Sequence, residues 1–186
     1  MAYKDEILTF ASDKIYYTID DLELEVMMDW EDDIMKASAN YICENGGDIL
    51  EIGFGMGIAA DYIQANSITS HTIIEIHPQI IEKAKTWANG KPNVTIIEGD
   101  WYEVKDSLST YDGVFYDTWG EDDWSRFGSS IASLCKSKAK VTWWNNNKNA
   151  TTIQNIEGIE YEAISVNPPS NVYFNSNTYY LPKKQF

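Results

Sequence analysis

Three glycines, Gly53, Gly55 and Gly57, follow the apolar run 48–52, with Glu51, Phe54 and Met56 interleaved. Glycine at a strand end lets the backbone turn tightly and approach a ligand, and a helix beginning just beyond offers unpaired amides. Such a loop can cradle a nucleotide-like cofactor. The dinucleotide fingerprint Gly-x-Gly-x-x-Gly fails from Gly53, whose sixth position is Ile58; from Gly55 it is Ala60, which that fingerprint tolerates. On the loop alone a dinucleotide-binding module stays open. Two acids narrow the choice. Glu75, followed by Ile76, closes the next apolar run and suits the two ribose hydroxyls of an adenosine. Glu98-Gly99-Asp100-Trp101 closes the run after that, with an acid to read an adenine amino group and an aromatic ring beside it. Each acid taken alone is equally at home as a solvated loop residue.

These residues act together only if a sheet brings them to one edge. The runs 48–53, 71–77, 93–99, 111–117 and 139–145 read as strands, separated by helical stretches at 57–66, 78–88 and 121–135 and a short helical turn within 101–108. Near-continuous apolar strands alternating with helices imply a parallel sheet covered on both faces. The runs 159–166 and 172–181 have only a short turn between them, too little for a parallel crossover, so they form an antiparallel hairpin. Ahead of the first strand, residues 1–25 read as an irregular acidic arm with a short strand or turn at 14–18. Residues 21–45 read as a helix on the spacing of Val26, Trp30, Ile34 and Tyr41, ended by Gly46 and Gly47. The expected architecture is α/β: a mostly parallel seven-stranded sheet with a C-terminal hairpin and helices on both faces. It is one domain over 1–186, with 1–25 as N-terminal arm and 26–186 as core.

Composition sets outer limits. The chain has 186 residues, 44 % of them hydrophobic and 23 % charged, as in an ordinary globular domain. There is no apolar run of ~18 residues and no basic start with an apolar core at the N-terminus, so a cytoplasmic protein is expected. The net charge is −15, with 14 basic residues against 29 acidic ones. That balance disfavours nucleic acid and anionic membrane and permits a cationic substrate; simple solubility accounts for it equally. Cys43 and Cys135 read as reduced thiols packed in helices. His71 and His77 flank one strand and read as packed or solvated. With no clustered Cys/His set, no metal is expected.

The motifs Glu51-Ile-Gly-Phe-Gly-Met-Gly57, the acid Glu75 and the acid Asp100 together resemble the class I S-adenosylmethionine-dependent methyltransferases, a Rossmann-like fold that also ends in an antiparallel hairpin. The resemblance narrows over 26–35, 44–59, 71–78, 91–101, 111–119 and 166–182. There the chain is similar to the guanidino N-methyltransferases: guanidinoacetate methyltransferase and the type IV protein arginine methyltransferase. Asn-Gly-Gly-Asp, Met-Gly-Ile and Glu-Ile-His-Pro lean toward the arginine enzyme. That enzyme's extra N-terminal region has no counterpart here, which favours a small molecule. Before the fifth strand the group has a Leu-Lys-Pro-Gly-Gly turn where this chain has Cys135-Lys-Ser-Lys-Ala-Lys. The segment 147–158 leaves room for only a small helix, so the substrate wall is shortened.

The resemblance implies roles. S-adenosylmethionine is the cofactor and S-adenosylhomocysteine its product, held by Glu51, Gly53, Phe54, Gly55, Met56, Gly57, Glu75, Ile76, Gly99, Asp100 and Trp101, with Met35 and Tyr116 against it. Glu31 of Trp30-Glu31 and Asp117 of Tyr116-Asp117-Thr118 are the carboxylates that grip a guanidinium. It has five N–H donors and no free lone pair, so carboxylates orient it and one of them takes its proton. Trp30, Thr118, Asn146 and Asn147 complete the substrate site, the asparagines through backbone amides. Tyr16 and Tyr17 can close over the cofactor as part of a lid, or simply pack. The partner is a small or arginine-containing guanidino substrate, and the protein a monomer or homodimer. A methyltransferase of another amine, or a cofactor-binding protein without turnover, remains the alternative. Asn167-Pro-Pro-Ser170 resembles the Asn-Pro-Pro-Tyr box of DNA amino methyltransferases, but it lies near the C-terminus and lacks the aromatic residue that stacks on a flipped base.

Overall fold

A computed structural model describes residues 3–121, 123–150 and 153–186. The chain opens with a small antiparallel sheet, β1 (Thr9–Phe10), β2 (Lys14–Ile19) and β3 (Leu22–Met28), and turns into α1 (Asp32–Ile42) through a 3-10 turn at Asp29–Glu31. There follow β4 (Asp48–Ile52), α2 (Ile58–Gln64), β5 (Ser70–Glu75), α3 (Pro78–Ala88), β6 (Val94–Glu98), α4 (Trp101–Val104), β7 (Tyr111–Tyr116), α5 (Ser125–Ser130), β8 (Cys135–Trp143), β9 (Glu160–Ser165) and β10 (Thr178–Gln185).

Seven strands form one sheet in the order β6-β5-β4-β7-β8-β10-β9. The first five are parallel, and β10 runs antiparallel to both β8 and β9. The chain winds outward from β4 to β6, then returns to lay β7 on the other side of β4. Ligands of such sheets bind where the order reverses, beyond the carboxyl ends of the strands. Here that point lies between β4 and β7, and the glycine loop and Asp117 leave from it.

Strand alternation builds the two faces. Leu50, Ile52, Val114, Tyr116, Val141 and Trp143 point to one side and pack with Trp101 of α4 and Phe127 of α5. The Tyr116 and Phe127 rings stack at 4.2 Å. Ile49 and Phe115 point to the other side, against Met35, Ile42 and Ile63 of α1 and α2, while Ile73 packs on Ile80 and Ala84 of α3. Each such large side chain, withdrawn fully from water, contributes roughly 1.5–3 kcal/mol. Among the described residues no helix is long and apolar enough to cross a membrane.

The N-terminal third departs from the expected pattern. Residues 22–28 form a strand, and the helix begins only at Asp32. The turn Asp20-Asp21 explains the difference: both residues have positive φ, 50° and 64°, the geometry of a tight hairpin turn. Leu22, Leu24, Val26 and Met28 then alternate as a strand requires, although Val26, Trp30 and Ile34 also fall at helical intervals. The arm 1–25 is, over its described residues, mostly a three-stranded sheet rather than an irregular stretch.

Smaller differences lie elsewhere. The fifth parallel strand starts at Cys135, four residues early, and turns through Lys138 at φ 69°. Cys135 therefore begins a strand and does not sit in a helix. The last strand is Thr178–Gln185, because 166–177 is spent on an irregular link rather than a short turn. The helix expected over 121–135 is α5 plus a 3-10 turn at Ile131–Leu134; Asp122 lies outside the described residues. So do Thr151 and Thr152, within the small helix expected in 147–158.

Candidate active site

A cavity of about 540 Å³ opens at the carboxyl end of the sheet. Its floor is the glycine loop. Gly53 has φ 91°, and a Cβ there would stand 1.8 Å from the backbone oxygen of Asp117, so loop and β7 meet at a separation only glycine allows. Gly57 caps α2 in the left-handed conformation at φ 82°.

Glu75 fixes the loop from the side. Its Oε2 accepts the Phe54 N–H at 2.9 Å, and its Oε1 accepts the N–H groups of Ile76 and His77, both at 2.8 Å. Burial pushes its carboxyl above the ordinary range, and those three amides pull it back. Glu51 is wholly buried and accepts from His71 Nε2 at 2.8 Å; its Oε1, also buried, has no hydrogen-bond partner among the described residues. Gln64 Nε2 lies 3.2 Å from His71 Nδ1, so both ring nitrogens are engaged, Nε2 by Glu51 and Nδ1 by Gln64. His77 caps α3 by accepting the Gln79 N–H at Nδ1, and its Nε2 reaches the Glu6 carbonyl at 3.1 Å. Both histidines are packed structural groups.

Of the residues expected to bind the cofactor, Met35, Glu51, Gly53, Phe54, Gly55, Glu75, Ile76, Gly99, Asp100 and Trp101 line the cavity. Met56, Gly57 and Tyr116 do not line it. The β1–β3 sheet adds Tyr17, Ile19, Val26 and Met27 to the walls, with Tyr3 before it. Tyr17 faces the cavity and Tyr16 does not, as alternation along β2 demands. Asp100 caps α4, accepting the Tyr102 N–H at 2.8 Å.

Asp117 follows β7 and lies partly exposed on the cavity. Burial first, then the charges of Glu51 and Glu75, push its carboxyl up to about 7. Glu31 ends the 3-10 turn and is only 3 % exposed. Burial and the neighbouring Asp117 charge push it up to about 8, against hydrogen bonds from Tyr173 and the Met28 amide. Two carboxyls are thus held close enough to feel one another with no basic side chain bonded to either among the described residues. That arrangement is unfavourable until a cation enters.

Glu31 and Trp30 do not line the open cavity; they lie under an aromatic layer. Trp30 stacks on Phe174 (5.6 Å, 18°) and Tyr173 (6.2 Å, 26°), with Trp144 edge-on at 6.2 Å. Trp30 Nε1 is buried and has no hydrogen-bond partner among the described residues. Asn146 and Asn147 are exposed, and their side chains are spent locally: Asn146 Oδ1 accepts from Trp144 Nε1, and Asn147 Oδ1 from the Asn149 amide, both at 2.8 Å. The buried member of that run is Asn145, whose N–H donates to the Tyr179 hydroxyl at 3.0 Å and whose Oδ1 has no partner among the described residues. The Tyr179 phenol is pushed far up by burial and by the charges of Asp117 and Glu31, against its hydrogen bond with the Asn145 amide.

Two residues of the site were not singled out in the sequence. Glu121 gathers the Tyr116 hydroxyl, the Thr118 hydroxyl (2.8 Å) and Trp101 Nε1 (3.1 Å) at the cavity edge. Thr118, expected beside the substrate, lines the cavity and donates its hydroxyl to Glu121. Tyr173 reaches Glu31 from the other end of the chain.

The model of the guanidinoacetate N-methyltransferase family matches residues 10–139. The protein arginine N-methyltransferase 2 of Aspergillus oryzae is 36 % identical over 153 residues, 77 % of this chain and 36 % of that protein. The chain spans between 31 % and 41 % of the length of the first curated relatives it matches. Among solved structures, spermidine synthase from Thermotoga maritima superposes with a TM-score of 0.67 at 10 % identity, over 96 % of this chain and 72 % of that one. The N-methyltransferase NodS of Bradyrhizobium japonicum WM9, in complex with S-adenosyl-L-homocysteine, gives 0.66 at 12 % identity, over 84 % and 87 %. Both likenesses are of fold.

Proposed function

Because this chain belongs to the guanidinoacetate N-methyltransferase family, we propose that it transfers a methyl group from S-adenosylmethionine to a guanidino nitrogen, of guanidinoacetate, of arginine, or of a related guanidine. The observation that carries the reading is the carboxyl pair Glu31 and Asp117. Asp117 leaves the switch point of the sheet on the glycine-floored cavity, and Glu31, buried on the 3-10 turn, stands near enough for the Asp117 charge to help lift its pKa.

A guanidinium is a planar cation with five donors, and a carboxylate can take two of them in parallel. Glu31 and Asp117 would hold it from two sides and aim one nitrogen at the sulfonium carbon. The cost of two buried anions would be offset by the cation between them. Asp117, at the cavity, takes the proton from that nitrogen, which frees its lone pair. The nitrogen forms the new bond to the methyl carbon, the electrons of the breaking carbon–sulfur bond return to sulfur, and the thioether product is neutral at sulfur. Aligning both reactants in a dry site supplies much of the acceleration, since effective molarities for well-placed groups reach ~10⁵ M or more. The Trp30, Trp144 and Tyr173 rings pack on one another beside Glu31, and such rings would suit a flat cation.

Methyl transfer from labelled S-adenosylmethionine to guanidinoacetate, arginine and an arginine-containing peptide tests the reading. Turnover of at least one, lost in Asp117→Asn and Glu31→Gln, is expected. Wild-type turnover in both variants would refute the roles assigned here.

A further inference from the structure

Glu31 is held by one residue that lies more than a hundred positions away in sequence. The Tyr173 hydroxyl donates to Glu31 Oε1 at 2.6 Å, and the Met28 N–H donates to the same oxygen at 2.9 Å. Oε2 makes no hydrogen bond among the described residues, so one oxygen is anchored and the other is left for a ligand.

Tyr173 is itself rigidly placed. Asn171 Oδ1 accepts the N–H groups of Tyr173 (3.0 Å) and Phe174 (2.7 Å), and Asn171 Nδ2 donates to the carbonyls of Pro169 (2.9 Å) and Phe174 (2.8 Å). The Val172 N–H donates to Glu25 Oε2 at 3.2 Å, tying this link to β3, the strand that leads into Glu31. The Tyr173 ring then touches one aromatic residue from each segment that carries a candidate substrate group. These are Trp30 beside Glu31, Trp119 two residues after Asp117 (6.0 Å, 73°), and Trp144 before Asn145 (5.9 Å, 68°).

We propose that Tyr173 is the positioning residue of the carboxylate pair: its hydroxyl fixes the Glu31 carboxyl in one rotamer, and its ring locks the three segments that deliver the guanidine site. The substrate half of this inference rests on the guanidine reading above; the effect on Glu31 does not. The groups facing Glu31 are Asp117, Tyr179, Tyr173 and the Met28 amide. Among them the two that lower its proton affinity are Tyr173 and the amide. Without the hydroxyl the carboxylate is less stable and Glu31 keeps its proton to higher pH.

The test is Tyr173→Phe, which keeps the ring and removes the hydroxyl. Titration of the Glu31 carboxyl by carbon-13 NMR, assigned by its absence in Glu31→Gln, needs no substrate. Its midpoint is expected to rise by roughly one pH unit or more. With a guanidine that the wild type turns over, KM is expected to rise about tenfold, with the acid limb of kcat/KM moving up by the same interval. Affinity for S-adenosylhomocysteine should stay within about twofold. An unmoved Glu31 midpoint overturns the proposal, whatever the substrate proves to be. A moved midpoint with no guanidine turned over by the wild type keeps the positioning role and removes the guanidine reading. Tyr173→Leu, with the same midpoint measured, serves if the phenylalanine variant does not fold.

Discussion

His71 Nε2 lies 2.8 Å from Glu51 Oε2, and both side chains are sealed from water. The glycine loop therefore begins from a strand whose last acid is hydrogen-bonded by the adjacent strand, not by solvent. His71→Ala removes the donor and leaves a buried carboxyl oxygen unpaired. We expect a loss of about 3 kcal/mol in denaturant unfolding, with m unchanged, because breaking a buried polar pair costs more than the pair contributes.

Glycine substitution separates steric from conformational need. At Gly53 a Cβ would collide with the Asp117 carbonyl, whereas at Gly90, with a similar φ of 80°, nothing stands within 4 Å. Gly90→Ala should cost about 1–2 kcal/mol from backbone strain alone and leave ligand binding intact. Gly53→Ala must push Asp117 or the loop aside, and we expect it to lose S-adenosylhomocysteine binding at least tenfold by calorimetry.

The carboxyl pair makes stability depend on pH in a particular direction. In the unfolded chain Glu31 and Asp117 ionise near 4.5 and 3.8; in the folded protein they ionise near 8 and 7. Between those values the folded state holds more protons, so stability from this pair is greatest below about pH 4 and falls as pH rises through 7 and 8. Unliganded protein should melt several degrees lower at pH 8.5 than at pH 6. Asp117→Asn should flatten that slope while removing turnover, and a wild type that melts higher at the alkaline end would contradict the assignment.

Glu121 holds three donors at the mouth of the cavity, from the end of β7, from Thr118 and from Trp101. Glu121→Ala frees the Trp101 ring and the Tyr116 hydroxyl. We expect S-adenosylhomocysteine to bind about tenfold more weakly, with the loss confined to cofactor affinity and the guanidine KM unchanged at saturating cofactor.

What could be read in the sequence follows from how local each signal is. The parallel strands declare themselves as apolar runs because they are buried on both faces, and the glycine loop, Glu75 and Asp100 end three of them, so their convergence followed from topology. The β2–β3 hairpin was hidden because Val26, Trp30 and Ile34 satisfy a helical interval as well as a strand does, and the turn that decides between them rests on two aspartates in the left-handed region rather than on glycine. Glu121 lay outside every motif, and Tyr173, although within the stretch 166–182, was not singled out there. Their importance lies in hydrogen bonds to side chains that only the fold brings near, across 142 positions for Tyr173 and Glu31. The expectation for Asn146 and Asn147 concerned backbone amides, and burial singles out Asn145 between Trp144 and that exposed pair.

The central claim is that one cavity takes a sulfonium nucleoside and the adjoining carboxylates take a guanidinium. Calorimetric titration with S-adenosylhomocysteine, alone and then with guanidinoacetate or arginine present, tests it most directly. The account predicts that the thioether binds and that one of the guanidines tightens it, with protons released as the Glu31–Asp117 pair ionises. Absence of S-adenosylhomocysteine binding would contradict it outright.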